Sequence, residues 1–175
     1  VPFLFWFMAI NFLQLLFVTL EEPWKDLNLA IHTFQQTTMA LRYSNIPVVV
    51  ATHGFTFGGG CELAMHADAV QSAAETYMGL VEIGVGLIPG GGGTKEMALR
   101  ASDSYYSGDI ELPKLKEAFL NIGMAKVSTS AHEAFDLGYL RKGFDEITIN
   151  SNLLIKDAKL KAISLAERGY NKPTQ

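Results

Sequence analysis

The 175-residue chain has a single cysteine, Cys61, so no disulfide framework can be built within it, and a reducing compartment suits it. Charge is scarce: 18% of residues are Asp, Glu, Lys or Arg, the net charge is −4, and there is no run of Lys or Arg. That removes the electrostatic footprint of a nucleic-acid binder. Internal repeats and low-complexity linkers are absent, which leaves one domain long enough to bury a substantial core. The usual nucleotide and nucleophile signatures are missing too. G-x-G-x-x-G fails from Gly58, Gly84 and Gly90, the residue before Lys95 is Thr94 rather than a P-loop glycine, and no G-x-S-x-G occurs. His66 and Asp68 share a helix end but are too few for a metal site.

Apolar residues, by contrast, are plentiful. They make up 49% of the chain, and the mean hydropathy of +0.17 is high for a protein in water, which implies surface covered by something else. Residues 1–20, VPFLFWFMAINFLQLLFVTL, carry no charge. The run is long enough for a bilayer, yet Asn11 and Gln14 interrupt it and no basic leader or cleavage site accompanies it. A buried strand over 1–7 and a helix capped by Asn11 is the preferred reading, with no membrane span.

Further along, Leu27, Ile31, Phe34 and Leu41 recur at helical spacing, predicting a helix over 24–43 with Trp24, Phe34 and Leu41 in the core. Pro47 ends it, and the β-branched run 48–51 reads as a strand covered on both faces. A short helix over 60–66, short strands over 69–72 and 76–80, and helices from about 92 and over 113–121 follow. Ser130 and Glu133 have the spacing of a capping box, Gly138 closes that helix, 147–149 is a strand, and a last helix over 153–168 stops at Gly169. Strands alternating with helices argue for an α/β fold.

Two glycine turns carry the chemistry. In GFTFGGGCELAMHADA, Gly58, Gly59 and Gly60 open a helix. A helix N-terminus presents unpaired N–H groups and a partial positive charge. Without Cβ atoms in the way, a substrate oxygen could reach those amides, as in half of an oxyanion hole. Glu62 would sit one turn inside. In YMGLVEIGVGLIPGGGG, Glu82 lies among Leu80, Val81, Ile83 and Val85 before a second glycine turn. A carboxylate in such surroundings is either paired or chemically employed. Cys61 reads as a small buried residue, and Lys95 and Arg100 as solvated surface charges rather than contacts to substrate phosphates.

These residues resemble the crotonase (enoyl-CoA hydratase/isomerase) superfamily. The matching blocks are IPVVVATHGFTFGGGCELAMHADA, YMGLVEIGVGLIPGGGGTKEMALR and STSAHEAFDLGYL, covering most of 46–140. The flavour is similar to the hydratase region of bacterial multifunctional 3-hydroxyacyl-CoA dehydrogenases of fatty-acid β-oxidation. The resemblance implies a crotonase-like (ClpP/crotonase) ββα superhelix. It also implies one partial domain over 1–175, short of the family's N-terminal strands and C-terminal helical tail. Its core would span 1–125, an α/β segment 126–170 and a loose tail 171–175.

By the same resemblance, Glu62 and Glu82 are the paired acid/base carboxylates and the Gly59 amide is an oxyanion donor. The second donor would be the Ile10 amide, in a turn usually written G-A-N or G-A-D. The chain departs from the family there, since Ala9-Ile10 puts a β-branched residue in that turn and reshapes that half of the hole. Gly58, Gly90, His53 and Tyr77 would line the substrate site. Expected chemistry is hydration of trans-2-enoyl-CoA to 3-hydroxyacyl-CoA, with enoyl-CoA isomerisation or an inactive acyl-CoA-binding scaffold as alternatives. Coenzyme A would enter as part of the substrate, with no covalently bound cofactor and no metal. A cytoplasmic homo-oligomer, joined to other domains of a β-oxidation protein, completes the expectation.

Overall fold

A computed structural model describes residues 24–110 and 112–174. The expected strand and cap within 1–23, and with them Ile10, lie outside the described residues. The chain runs α1 (Trp24–Arg42), β1 (Val49–Phe57), α2 (Gly59–Met65), β2 (Ala69–Gly79), a 3-10 turn (Glu82–Val85), α3 (Gly93–Asp103), α4 (Leu112–Gly123), α5 (Ala131–Asp136), β3 (Glu146–Thr148), a second 3-10 turn (Ser151–Leu153) and α6 (Leu154–Glu167).

The three strands form one parallel sheet in the order β1-β2-β3. Parallel strands need crossovers, and α2 supplies the one between β1 and β2. The strands predicted over 69–72 and 76–80 are in fact one, because a register shift opposite Thr52 and Gly54 absorbs the intervening residues. Thr76 Oγ1 closes that irregularity by donating to Ala73 O at 2.7 Å and Thr52 O at 3.2 Å. β1 likewise runs on to Phe57, past the stretch where the sequence pattern ended it.

Cys61, Ala64 and Met65 of α2 pack with Val70, Met78, Leu80, Met97, Ala101, Ala118, Ala131, Ala134, Tyr139 and Leu140. So many alanines let the helix backbones approach the sheet closely. Tyr139 is fully buried and its hydroxyl donates to Lys126 O at 2.8 Å, as a phenol in a core must. The capping box is formed in part: Ser130 Oγ accepts from Glu133 N at 3.2 Å, while the Glu133 carboxylate reaches back to Thr129 N at 2.6 Å. Tyr170 OH bonds Asp68 Oδ1 at 3.0 Å, pinning the end of the chain beside the start of β1.

The α1 helix departs from the amphipathic expectation. Trp24 is 67% exposed, Ile31 is exposed, and the only residue of this helix that is buried is Thr38. The inward edge of α1 is mixed: Thr38 answers a carbonyl of the loop beneath it, while Leu27, Phe34 and Leu41 are half-buried. Arg100 is also not a solvated surface charge. It is half-buried and donates to Met65 O at 2.9 Å, Gly138 O at 3.1 Å and Tyr139 O at 2.8 Å, tying α3 to the ends of α2 and α5. Among the described residues, no helix is long and apolar enough to cross a membrane.

Candidate active site

The site lies where β1 and β2 end side by side, the usual location for ligands in parallel sheets. Phe57 pairs with Gly79, and the Gly58 N–H donates to Gly79 O at 2.8 Å. There the chain must turn sharply into α2, and Gly58 does so at φ 52° and ψ −126°. A side chain would be strained at that φ, and its Cβ would stand 3.1 Å from Glu82 Oε1. Glu62 N closes the first turn on Gly58 O at 2.9 Å. Gly59, the first helical residue, has no intrahelical acceptor for its N–H, and no hydrogen bond from it is present among the described residues.

Glu62 is 2% exposed, and its Oε1 accepts from Gly93 N at 2.8 Å. Gly93 opens α3, so the carboxylate faces the positive end of that helix. Burial pushes the Glu62 pKa up, and the N–H groups of Gly93 and Gly91 pull it part of the way back. Glycine at position 91 leaves the space that Phe34 and Glu62 occupy. A Cβ there would collide with the Phe34 ring and stand 2.6 Å from Glu62 Oε2.

Glu82 begins the 3-10 turn that leaves β2. Burial, reinforced by the negative charge of Glu62, raises its pKa from 4.5 to about 7. Its Oε2 is buried with no hydrogen-bond partner among the described residues. The turn that follows leaves Ile83, Val85, Leu87 and Ile88 exposed.

The second glycine turn is fastened from above by α1. Gln35 Nε2 donates to Gly90 O at 2.7 Å, and Thr38 Oγ1 to Gly91 O at 2.8 Å. Phe34, expected in the core, instead covers Gly59 and Gly91. Below the turn, the carboxylate of Glu96 is buried. Arg42 Nη1 is 3.0 Å from its Oε2, and Lys95 Nζ is 3.1 Å from its Oε1.

Thus Glu82 meets Gly58, and Glu62, one turn into the helix that Gly58 and Gly59 open, meets Gly91 and Gly93 of the second glycine turn, with Gly90 present only as the neighbour of Gly91. His53 and Tyr77 do not join them. Both are exposed, Tyr77 stacks on Phe55 with ring centroids 5.3 Å apart, and side chains alternate along a strand. Tyr77 therefore points away from the face where its neighbour Met78 meets α2. The sequence reading missed Gln35, Thr38, Phe34 and Glu96. A polar pair Gln35 and Thr38 on one edge of α1 was the available signal for the first two. Among the described residues, no cluster of three or more His, Cys, Asp or Glu could hold a metal ion.

Residues 19–104 match the family described as enoyl-CoA hydratase/isomerase. A probable 3-hydroxyacyl-CoA dehydrogenase of Bacillus subtilis is 40% identical over 168 residues, covering 96% of this chain and 21% of that protein. The mitochondrial enoyl-CoA hydratase of Pongo abelii is 33% identical over 119 residues, covering 65% of this chain and 39% of that one. Among solved structures, an enoyl-CoA hydratase from Bacillus anthracis superposes with a TM-score of 0.65 at 24% identity, over 81% of this chain and 48% of that chain. An enoyl-CoA hydratase/isomerase from Cupriavidus metallidurans CH34 gives 0.69 at 22% identity, over 89% and 52%. At these identities the structural likeness shows the crotonase-type fold. The chain spans about a fifth of the Bacillus subtilis protein and about half of the solved hydratases.

Proposed function

This chain belongs to the enoyl-CoA hydratase/isomerase, or crotonase, superfamily, and on that premise we propose that its site adds water to trans-2-enoyl-CoA, giving 3-hydroxyacyl-CoA. The observation that carries the proposal is that buried Glu62 lies one turn into the helix opened by Gly58, and half-buried Glu82 has its Oε1 against Gly58, next to Gly59, whose N–H has no hydrogen-bond partner among the described residues.

The negative charge of Glu62 opposes ionisation of Glu82, so the two carboxyl groups do not both ionise readily at neutral pH. Glu62, whose pKa burial raises while the Gly93 and Gly91 amides partly offset that rise, takes the proton from water. Glu82, with its pKa raised to about 7, keeps its proton and delivers it to C2. Hydroxide oxygen bonds to C3, the C2–C3 π pair moves onto the thioester as an enolate, and the enolate collapses as C2 accepts the proton from Glu82. Glu62 then holds the proton and Glu82 the charge, and transfer between the two resets the pair. The Gly59 N–H meets the enolate oxygen, and losing one such donor typically costs about 10²–10³ in rate. In this reading the Ile10 N–H is the second donor and the Gly90 turn seats the water and acyl group.

Coenzyme A enters as part of the substrate, with no covalent cofactor. The likeness to a probable 3-hydroxyacyl-CoA dehydrogenase of Bacillus subtilis supports placing the chain in a larger β-oxidation protein, and a cytoplasmic homo-oligomer is part of the same proposal. Purified full-length protein given crotonyl-CoA is expected to yield 3-hydroxybutyryl-CoA, read by loss of the conjugated thioester absorbance and by product mass. Migration of the double bond in a 3-enoyl-CoA without water uptake would assign isomerisation instead. Saturable acyl-CoA binding without turnover would assign a scaffold.

A further inference from the structure

His66 closes α2 one turn after Glu62, is 1% exposed, and takes no part in the chemistry above. Its Nδ1 lies 2.7 Å from the main-chain oxygen of Glu62. A carbonyl can only accept, so Nδ1 carries a proton and donates it. In the neutral ring Nε2 then has a bare lone pair. That nitrogen faces Glu96 Oε1 at 3.6 Å, and among the described residues neither atom has a hydrogen-bond partner. Lys95 Nζ approaches Oε1 from α3, outside hydrogen-bond geometry, and Arg42 holds the other oxygen from α1.

The ring also sits against the second glycine turn. A Cβ on Gly92 would lie 2.8 Å from Nε2, and Gly92 adopts φ +108° to pass it. The next residue is Gly93, whose N–H holds Glu62 Oε1. One imidazole therefore touches both the main chain of Glu62 and the turn that grips its carboxylate. We propose that His66 is a positioning residue for Glu62, setting the separation between α2 and the Gly92–Gly93 turn and so the direction in which the carboxylate is held.

The groups facing the ring are Glu96 and Lys95 from α3, Arg42 from α1 and the Glu62 main chain from its own helix. Burial holds the ring neutral, while the Glu62 carbonyl and Glu96 oppose that shift. The importance of Glu62 to turnover rests on the hydratase reading, but its seating can be measured without turnover.

The test uses full-length protein labelled with 13C at glutamate carboxyls, the Glu62 resonance being assigned by its loss in Glu62→Gln. In His66→Leu the Glu62 titration midpoint is expected to move by about one pH unit, a tenfold change in proton affinity. In the same variant hydration kcat is expected to fall about 10- to 100-fold while KM stays within about twofold. His66→Asn, which keeps an N–H at the place of Nδ1, is expected to recover most of both. An unmoved Glu62 midpoint in His66→Leu, or equal losses in the Leu and Asn variants, overturns the proposal. If His66→Leu does not fold, 15N spectra of the wild-type histidine decide: an Nδ1–H ring upholds the proposal and an Nε2–H ring overturns it. A moved midpoint in a protein that hydrates no enoyl-CoA upholds the seating and removes the hydratase reading.

Discussion

The N–H of Gly93 donates to Oε1 of Glu62 across 2.8 Å, joining two residues 31 apart in the chain. The first turn of α3 is thereby locked to the carboxylate of α2, with Gly91 leaving just enough room for both Glu62 and Phe34. Everything that loosens this turn should reach Glu62.

Gly91→Ala is the most local such change. Its methyl group would enter the space of the Phe34 ring and of Glu62 Oε2. Overpacking of this kind typically costs about 1–3 kcal/mol. A lower melting temperature and a drop in kcat are both expected. Adding Phe34→Leu should restore part of the stability and little of the activity, since the contact with Glu62 remains. Full recovery of kcat in the double variant would separate the glycine from the carboxylate.

Glu82 gives the fold a pH dependence of unusual sign. Its pKa in the folded protein is about 7, above the ordinary 4.5. Between those values the folded protein holds a proton that the unfolded chain has released, so the Glu82 contribution to stability falls as pH rises through that window. Urea denaturation of wild type and Glu82→Gln at about pH 5 and about pH 7.5 checks this, because the variant has no carboxyl to protonate. The loss of stability between the two conditions should be smaller in Glu82→Gln. Equal losses would mean that Glu82 ionises as freely in the fold as outside it.

Ala125 holds a left-handed conformation, φ 47°, just past the end of α4. Its N–H returns to Ile122 O at 2.9 Å, and Lys126 N to Asn121 O at 2.9 Å, the arrangement in which glycine usually ends a helix. A left-handed alanine costs about 1–2 kcal/mol. Ala125→Gly is expected to raise the denaturation midpoint without altering activity, and an unchanged or lower midpoint would show that the alanine is not strained.

The parts of the site written in consecutive residues were legible in the sequence. Gly58–Gly59–Gly60 announced a turn into a helix, and Glu82 among aliphatic neighbours announced a carboxylate drawn partly out of solvent. Arg42 and Glu96 were not legible, because they meet over 54 residues and each alone resembles an ordinary helix charge. Thr38 belongs to the same class: its buried hydroxyl answers a carbonyl on a loop 53 residues away. Periodicity placed α1 but overrated how deeply its apolar residues are buried, because its one buried residue, Thr38, serves a hydrogen bond. It misjudged β2 because Ala73, Ala74 and Glu75 have no strong strand pattern, and only the parallel partner keeps them extended.

The most direct measurement is a double-mutant cycle on crotonyl-CoA hydration with Glu62→Gln, Glu82→Gln and the pair. Each single change is expected to lower kcat about 10²- to 10⁴-fold. The double variant should be scarcely slower than the worse single, because one proton path needs both carboxyls. Hydration at the wild-type rate in either single variant would contradict the assignment, as would losses that simply multiply in the double.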